Sequence, residues 1–380
     1  MHDLAAMARF GGCVAADLRD VTSDPAALDS AGFWAVAADF EGGLVCARFG
    51  DVRREPVPVL PAGAWRGPAA GDWTSSLDRA AYTAGVRRIR EHIAAGDVYQ
   101  VNLCRILSAP LLGPAGGEAD VDALTALLAR GNPAPYAGTV RLPAHGVEIA
   151  TASPELFLRR DGHVVESGPI KGTARTPADL LEKDHAENVM IVDLVRNDLG
   201  RVCAPGSVTV PELCVVEKHP GLVHLVSTVR GELAEGVGWP ELLAGTFPAG
   251  SISGAPKSSA LRIIESLETA PRGPYCGGIG WVDADRGTGE LAVGIRTFWI
   301  DRTDSAAPLL RFGTGAGITW GSDPEHEWDE TELKASRLLE VASGRYRESG
   351  GVCGEDLARW DVAGRRGGAG FRVRPRADGR

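Results

Sequence analysis

Three segments late in the chain decide the fold: Gly277-Gly-Ile-Gly-Trp-Val282, Leu291-Ala-Val-Gly-Ile-Arg-Thr-Phe-Trp-Ile300 and Leu309-Leu-Arg-Phe-Gly313. Each is short, rich in β-branched and aromatic residues, and bounded by Gly, Asp or Pro, which is how strands read. No helical period separates them, so they are expected to pair as neighbours. The same signal recurs upstream at residues 98–107, 138–141, 147–151, 156–159, 163–167 and 223–229, and in the shorter stretches 33–36, 43–47 and 57–60. Apolar residues at a period of 3.6 mark helices over 121–129, 183–199, 240–246, 256–267 and 325–343, and another opening near Ser75 or Ser76 and stopped by Gly96-Asp97. Strands that follow one another without intervening helices imply large, mostly antiparallel sheets flanked by helices. The expected division is a strand-rich segment over 1–78 packed on a main domain over 79–343. A Gly- and Arg-rich tail from 344 to 380 has no apolar period and is expected to be disordered.

Composition bounds what such a fold can do. The chain has 380 residues, 44% of them hydrophobic and 24% charged, enough apolar surface for a sizeable core. Lys and Arg number 40 against 50 Asp and Glu, a formal charge of −10. That field disfavours nucleic acid and anionic membranes, and an anionic metabolite would need local cations, helix N-termini or a metal. The seven Cys are scattered and never spaced C-x-x-C, which argues against a disulfide framework or zinc site and suits a reducing compartment. With no secretory signal and no long apolar run, a cytoplasmic location is expected.

Several constellations carry chemistry. Asp184 and Glu187 share one face of the helix over 183–199, and Glu327, Glu330 and Lys334 share a stripe on the last helix. Such faces are either solvated surface or, if they converge, carboxylates for a hard cation such as Mg²⁺. Phe247-Pro-Ala-Gly-Ser-Ile-Ser-Gly-Ala-Pro-Lys-Ser258 places Gly and Ser before a helix, suited either to anion binding or to capping by Ser253. Gly313-Thr-Gly-Ala-Gly-Ile318 lacks the third glycine of a dinucleotide fingerprint and is followed by a turn, so that reading fails. Lys171, in Pro169-Ile-Lys-Gly-Thr173, sits in a sheet-rich context that would desolvate it and favour a neutral, nucleophilic amine. Glu155, in Ser153-Pro-Glu155, could protonate a leaving hydroxyl; a strand-end salt bridge is the simpler reading of both. His224 alternates with apolar residues, as a satisfied core histidine does.

Taken together and in order, these blocks resemble the chorismate-utilising enzymes. The resemblance rests on Gly96-Asp-Val-Tyr-Gln-Val-Asn-Leu103, Ser153-Pro-Glu155, Pro169-Ile-Lys-Gly-Thr173, the helix from Lys183 to Asp198, and His224-Leu-Val-Ser-Thr-Val-Arg-Gly231. It continues through Phe247 to Lys257, Tyr275-Cys-Gly-Gly-Ile-Gly280, Gly315-Ala-Gly-Ile318 and Glu327-x-x-Glu330-x-x-x-Lys334, so it runs from about residue 80 to 342. It implies an α/β (α+β) sandwich of two large, mostly antiparallel sheets with a buried Mg²⁺-dependent chorismate site. By the same resemblance Glu187 and Glu330 hold Mg²⁺, with Asp184 and Glu327 as the adjacent acids, and Glu155 is the general acid. Gly172, Thr173, His224, Ser251, Tyr275, Arg296, Gly315 and Lys334 match positions that line the pocket or hold substrate carboxylates.

Two positions choose within the family. Members that add water carry a general-base Lys where this chain has Gln100, and anthranilate synthases carry Ala where it has Lys171. Lys171 resembles the nucleophile of the aminodeoxychorismate synthase component I branch, in which the amine attacks ring carbon 2, the hydroxyl at carbon 4 leaves, and ammonia then displaces the Lys. The implied activity is amination of chorismate to 4-amino-4-deoxychorismate, toward para-aminobenzoate, folate or related aromatic amines. The chain shows no glutaminase pattern, so ammonia is expected from a separate glutamine amidotransferase subunit or from solution. Anthranilate synthase component I and a non-catalytic chorismate-binding subunit are the rivals; Lys171 argues against the first, and the retained Glu155, Glu187 and Glu330 against the second.

Overall fold

The computed structural model describes residues 5–58, 64–111, 119–174, 176–219, 222–305 and 307–344. The chain builds β1 (Met7–Phe10), β2 (Cys13–Thr22), β3 (Phe33–Ala38), β4 (Leu44–Arg54) and the short β5 (Thr74–Ser75). Helix α1 (Arg79–Ala95), β6 (Gln100–Pro110) and α2 (Val121–Gly131) follow. Then come β7 (Tyr136–Leu142), β8 (Val147–Ser153), β9 (Leu156–Asp161), β10 (Val164–Gly168) and β11 (Ile170–Ala174). Helix α3 (Glu182–Leu199) leads to β12 (Thr209–His219), β13 (Leu222–Glu232), α4 (Trp239–Thr246), β14 (Gly254–Ala255) and α5 (Lys257–Leu267). Strands β15 (Gly278–Asp283), β16 (Thr288–Val293), β17 (Thr297–Asp301) and β18 (Leu309–Ile318) precede α6 (Pro324–Ala342).

All pairings of these strands are antiparallel, and they join in one continuous path. It runs from β6, edged by β5 and β14, through β18, β17, β8, β7, β1, β2, β4, β3, β15, β16 and β9 to β10 and β11, then β13 and β12. The sheet curls, so the two expected layers are halves of one hydrogen-bonded surface. They meet in a core where Cys104, Ile106, Val140 and Ile149 of one half pack with Phe157, Ile279 and Leu291 of the other. The N-terminal strands β1–β4, expected as a segment laid on the main fold, bridge β7 and β15 in the middle of the path.

Helices cover the outer face of the β6–β18 half. Leu124 and Leu128 of α2 and Leu338 and Val341 of α6 pack on Phe298 and Phe312. Tyr82, Val86 and Ile89 of α1 join Ile263 and Ile264 of α5 over Val101, Leu103 and Ile318. Each such aliphatic or aromatic side chain contributes roughly 1.5–3 kcal/mol by leaving water, an upper bound because the unfolded chain is already partly collapsed.

Local chemistry explains where the sequence reading slips. Helix α1 starts at Arg79 because Asp78 Oδ1 accepts the Ala81 N–H at 2.8 Å, while Ser75 is spent on β5. The predicted strand over 291–300 is two strands, broken where Arg296 takes φ 52°. The strand predicted to stop at Gly313 continues through Gly317 to Ile318. Val57 is exposed and outside any strand, so the 57–60 expectation fails there; its last two residues and the tail from 345 lie outside the described residues. Ser253 does not cap α5: its hydroxyl donates back to the Ala249 carbonyl, and Pro256 holds the cap position. Among the described residues no helix is long and apolar enough to cross a membrane.

Candidate active site

The site lies where the two ends of the curled sheet face each other, with α3 behind one end and α6 beside the other. Strand β11 delivers Lys171. Its register against β13 shifts between Lys171 and Thr173, and Gly172 sits in the bulge with φ 70°. A bulge re-aims the neighbouring side chain, and glycine is required: a Cβ at 172 would meet the Asp184 Cβ at 2.9 Å. Thr173 is paired with His224 of β13, which is buried.

Strand β18 makes the space opposite. Its even-numbered residues, Leu310, Phe312, Ala316 and Ile318, join the outer cores. The opposite face carries Gly313, Gly315 and Gly317. A Cβ at Gly313 would lie within the ring of buried Tyr275, at 2.0 Å from Cγ. One at Gly315 would strike the Cys104 Sγ at 2.6 Å. One at Gly317 would lie 2.5 Å from Gln100 Nε2 and 3.5 Å from Lys171 Nζ. The glycine row, which the sequence placed after a strand ending at Gly313, is therefore a strand face stripped of side chains so that β6, β11 and Tyr275 can approach it. The alternation of Gly at a period of two was the available signal.

Lys171 borders the site and is partly exposed, yet protein surrounds its amine closely enough that lost hydration lowers its pKa from 10.5. Glu155, Glu187 and Glu330 oppose that lowering, while Lys334 adds to it. These influences put residues from β11, α3 and α6 and the turn before β9 within one electrostatic neighbourhood. Glu155 is buried, and burial raises its pKa against the pull of the Ser251 hydroxyl, Lys171 and the Ile170 N–H. No hydrogen bond or ion pair joins Glu155 to Lys171. Gln100 is also buried, and its Oε1 has no hydrogen-bond partner.

The acidic stripes of α3 and α6 do converge. Burial, Glu330 and Glu187 all push the Glu327 carboxyl up, while Ser322 and Lys334 pull it down. Helix α6 is turned to this pose by Arg105 of β6. Its guanidinium donates to Thr331 Oγ1 at 3.0 Å, pairs with Glu332, and lies 4.2 Å from the Trp328 ring. Asp329, whose charge the sequence left unassigned, pairs with Arg79 at 3.1 Å. Lys334 pairs with Glu330 at 2.6 Å and donates to the Gly315 carbonyl at 3.0 Å. Asp184 does different work: its Oδ2 accepts the Leu181 N–H at 2.8 Å and caps α3.

Arg296 is the remaining cation. Burial lowers its pKa, and no hydrogen bond or ion pair with the described residues engages its guanidinium. A desolvated, unpaired guanidinium on a left-handed backbone position is a ready partner for a carboxylate.

Comparisons with known proteins place the chain in a family. The profile of the chorismate binding enzyme family matches residues 51–340. The chain belongs to that family. It is 41% identical over 306 residues to anthranilate synthase component 1 of Streptomyces coelicolor, covering 76% of this chain and 57% of that protein. It is 38% identical over 280 residues to aminodeoxychorismate synthase component 1 of Escherichia coli, covering 70% and 59%. The chain thus spans under two-thirds of the length of these curated relatives. Among solved structures, one described as a 2,3-dihydroxybenzoate-specific isochorismate synthase, DhbC, from Bacillus anthracis superposes with a TM-score of 0.73 at 25% identity, over 89% of this chain and 96% of that one. Anthranilate synthase component I from Streptococcus pneumoniae gives 0.65 at 26% identity, over 80% and 76%.

Family membership makes Mg²⁺ the implied metal. Among the described residues no group of three His, Cys, Asp or Glu could cage a metal alone. Mg²⁺ takes one or two carboxylates and fills its other positions with water and ligand oxygens. Glu187 of α3 and Glu330 of α6 both raise the pKa of the Glu327 carboxyl, a crowding of acids from two helices that a divalent cation would relieve, so the residues fit it.

Proposed function

We propose that the protein aminates chorismate to 4-amino-4-deoxychorismate through a transient bond between Lys171 and the substrate ring. The observation that carries the reading is a desolvated lysine amine facing a buried, proton-retaining glutamate with no direct bond between them. A lysine serves as nucleophile only when neutral, and a carboxyl serves as acid only when protonated; burial drives both groups that way. In the proposed sequence the Lys171 nitrogen bonds to ring carbon 2, the double bond shifts, and the hydroxyl at carbon 4 leaves as water with the Glu155 proton. Ammonia then bonds to carbon 4, the shift reverses, and the Lys171 amine departs.

Arg296 and Lys334 hold substrate carboxylates in this scheme, and Gln100, a neutral amide where hydrating relatives carry a base, leaves water without an activator. Bound between Glu187 and Glu330, Mg²⁺ would neutralise a substrate carboxylate. Ammonia comes from a separate glutamine amidotransferase or from free ammonium.

The second reading, anthranilate synthase component I, is favoured by the 41% identity to such an enzyme. Incubation with chorismate, Mg²⁺ and ammonium followed by mass analysis separates the two. Retention of the pyruvyl ether supports 4-amino-4-deoxychorismate; release of pyruvate with anthranilate refutes it. Glu330→Gln is expected to abolish turnover and its response to Mg²⁺, and an unchanged metal response would remove Glu330 from the ligand set.

A further inference from the structure

Beside Glu155 lies a void of about 10 Å³ whose lining, apolar over much of its wall, includes Glu155, Ser167, Asp198 and Ser251. That is close to the space one water needs, and these four residues are lining groups able to partner it. On its far side lies a cleft of about 300 Å³ between α3 and α5. The cleft opens to solvent at Asn197, Arg201 and Ser258, which are exposed. Asp198 and Gly250 line both spaces. Gly250 keeps the partition thin: a Cβ there would lie 3.2 Å from the Leu194 Cβ and 3.6 Å from Asp198 Oδ2. Asp198 is buried, with Oδ2 taken by Lys257 Nζ at 2.8 Å; no hydrogen bond from the described residues takes Oδ1.

We propose that Asp198 is a proton-relay residue acting through Glu155, returning a proton from the α3–α5 cleft by way of a water in the void. The inference rests on Glu155 being the acid of the proposed amination. In each turnover Glu155 gives one proton to the departing hydroxyl, forming water, and is left as a carboxylate. The incoming ammonia surrenders one proton to solvent as it becomes the ring amine. Glu155 must therefore be recharged: the water passes it a proton and takes one from Asp198, which takes one from the cleft, so charge and protons balance. A substrate ring bonded to Lys171 would stand between Glu155 and solvent on that side, so the void is the route left open. The groups facing Asp198 are Lys257 and Arg201, and those facing Glu155 are Lys171, Ser251 and the Ile170 N–H. Burial raises the pKa of both carboxyls, so each can carry a proton nearer neutrality than a surface acid.

The test compares wild type with Asp198→Ala in the ammonium-dependent turnover of chorismate, with and without formate, in H₂O and D₂O. The relay predicts an unchanged chorismate KM, a kcat lowered roughly 10-fold or more, and a larger solvent isotope effect on kcat. It also predicts that formate, which the cleft admits, restores most of the rate. A wild-type kcat and isotope effect in Asp198→Ala overturn the relay, as does a loss in folded protein that formate does not repair. A change confined to the KM for ammonium overturns it too and makes the cleft an ammonia inlet. Should Asp198→Ala fail to fold, Gly250→Ala decides: a raised isotope effect at unchanged chorismate KM supports the relay, and an unchanged one overturns it. Wild type that leaves chorismate intact overturns the parent reading, whereas active wild type with an indifferent variant overturns the relay alone.

Discussion

Two lysine–carboxylate pairs flank the turn at Gly250–Ile252, and they are built to opposite ends. Lys257 and Asp198 are clasped at 2.8 Å, and Lys257 also donates to the Thr246 carbonyl at 3.0 Å. Lys171 and Glu155 feel each other's charge but share no hydrogen bond or ion pair. In both pairs burial lowers the lysine pKa and raises that of the acid. What differs is satisfaction. A buried pair that is hydrogen-bonded holds its elements together and is costly to break. A pair held apart lacks that hydrogen bond and is only partly offset by neighbouring charge, so the neutral amine and the neutral acid are favoured, and a substrate can enter between them.

The largest expected effect separates the pairs by chemistry. Lys171→Ala should cut amination by about 10³-fold or more, as loss of a covalent nucleophile does, while thermal unfolding shows the protein intact; retention of the wild-type rate with ammonium would remove the nucleophile role. Next, Gly172→Ala tests the bulge that aims Lys171. The added Cβ must strain a φ of 70° and displace Asp184, so a fall in kcat of roughly 10²-fold is expected from misplacement alone, and an unchanged kcat would show that the bulge does not set the amine. Breaking the clasped pair should act on stability instead: Lys257→Ala leaves Asp198 buried and alone, and denaturant titration should register a loss of about 3 kcal/mol. A loss below about 1 kcal/mol would make the two pairs alike.

The smallest effect is in the pH dependence of stability. Lys171 has its folded pKa below that of the unfolded chain. Between those values the unfolded chain binds the extra proton, so stability rises with pH across the window, and below it the full penalty applies. Lys171→Met should therefore gain most in stability at the low-pH side of that window, and the gain should vanish above pH 10.5, where both states are neutral. A gain independent of pH would contradict desolvation as its cause.

Much of this was legible in the sequence where local rules govern. The helices over α2, α3, α5 and α6 follow from apolar period, and Lys171, Glu155, Glu187 and Glu330 stood out because their residue types are costly in apolar strands or paired on helix faces. What was hidden depends on distant partners. The glycines of β18 stay outside the expected strand until Tyr275 and Gln100 are seen against them. The Asp198–Lys257 pair was hidden because it joins residues far apart in the chain. The exposed Leu213, Val215 and Val216 gave β12 no alternation to detect. The break at Arg296 is a backbone conformation that composition does not announce.

The central claim is that Lys171 bonds to the substrate ring. Mass analysis of protease fragments from enzyme quenched during incubation with chorismate and Mg²⁺, before ammonium is added, tests it most directly. The account predicts a fragment containing Lys171 heavier by chorismate less one water, lost again once ammonium is supplied. An unmodified Lys171 fragment under conditions that then yield aminated product would contradict it.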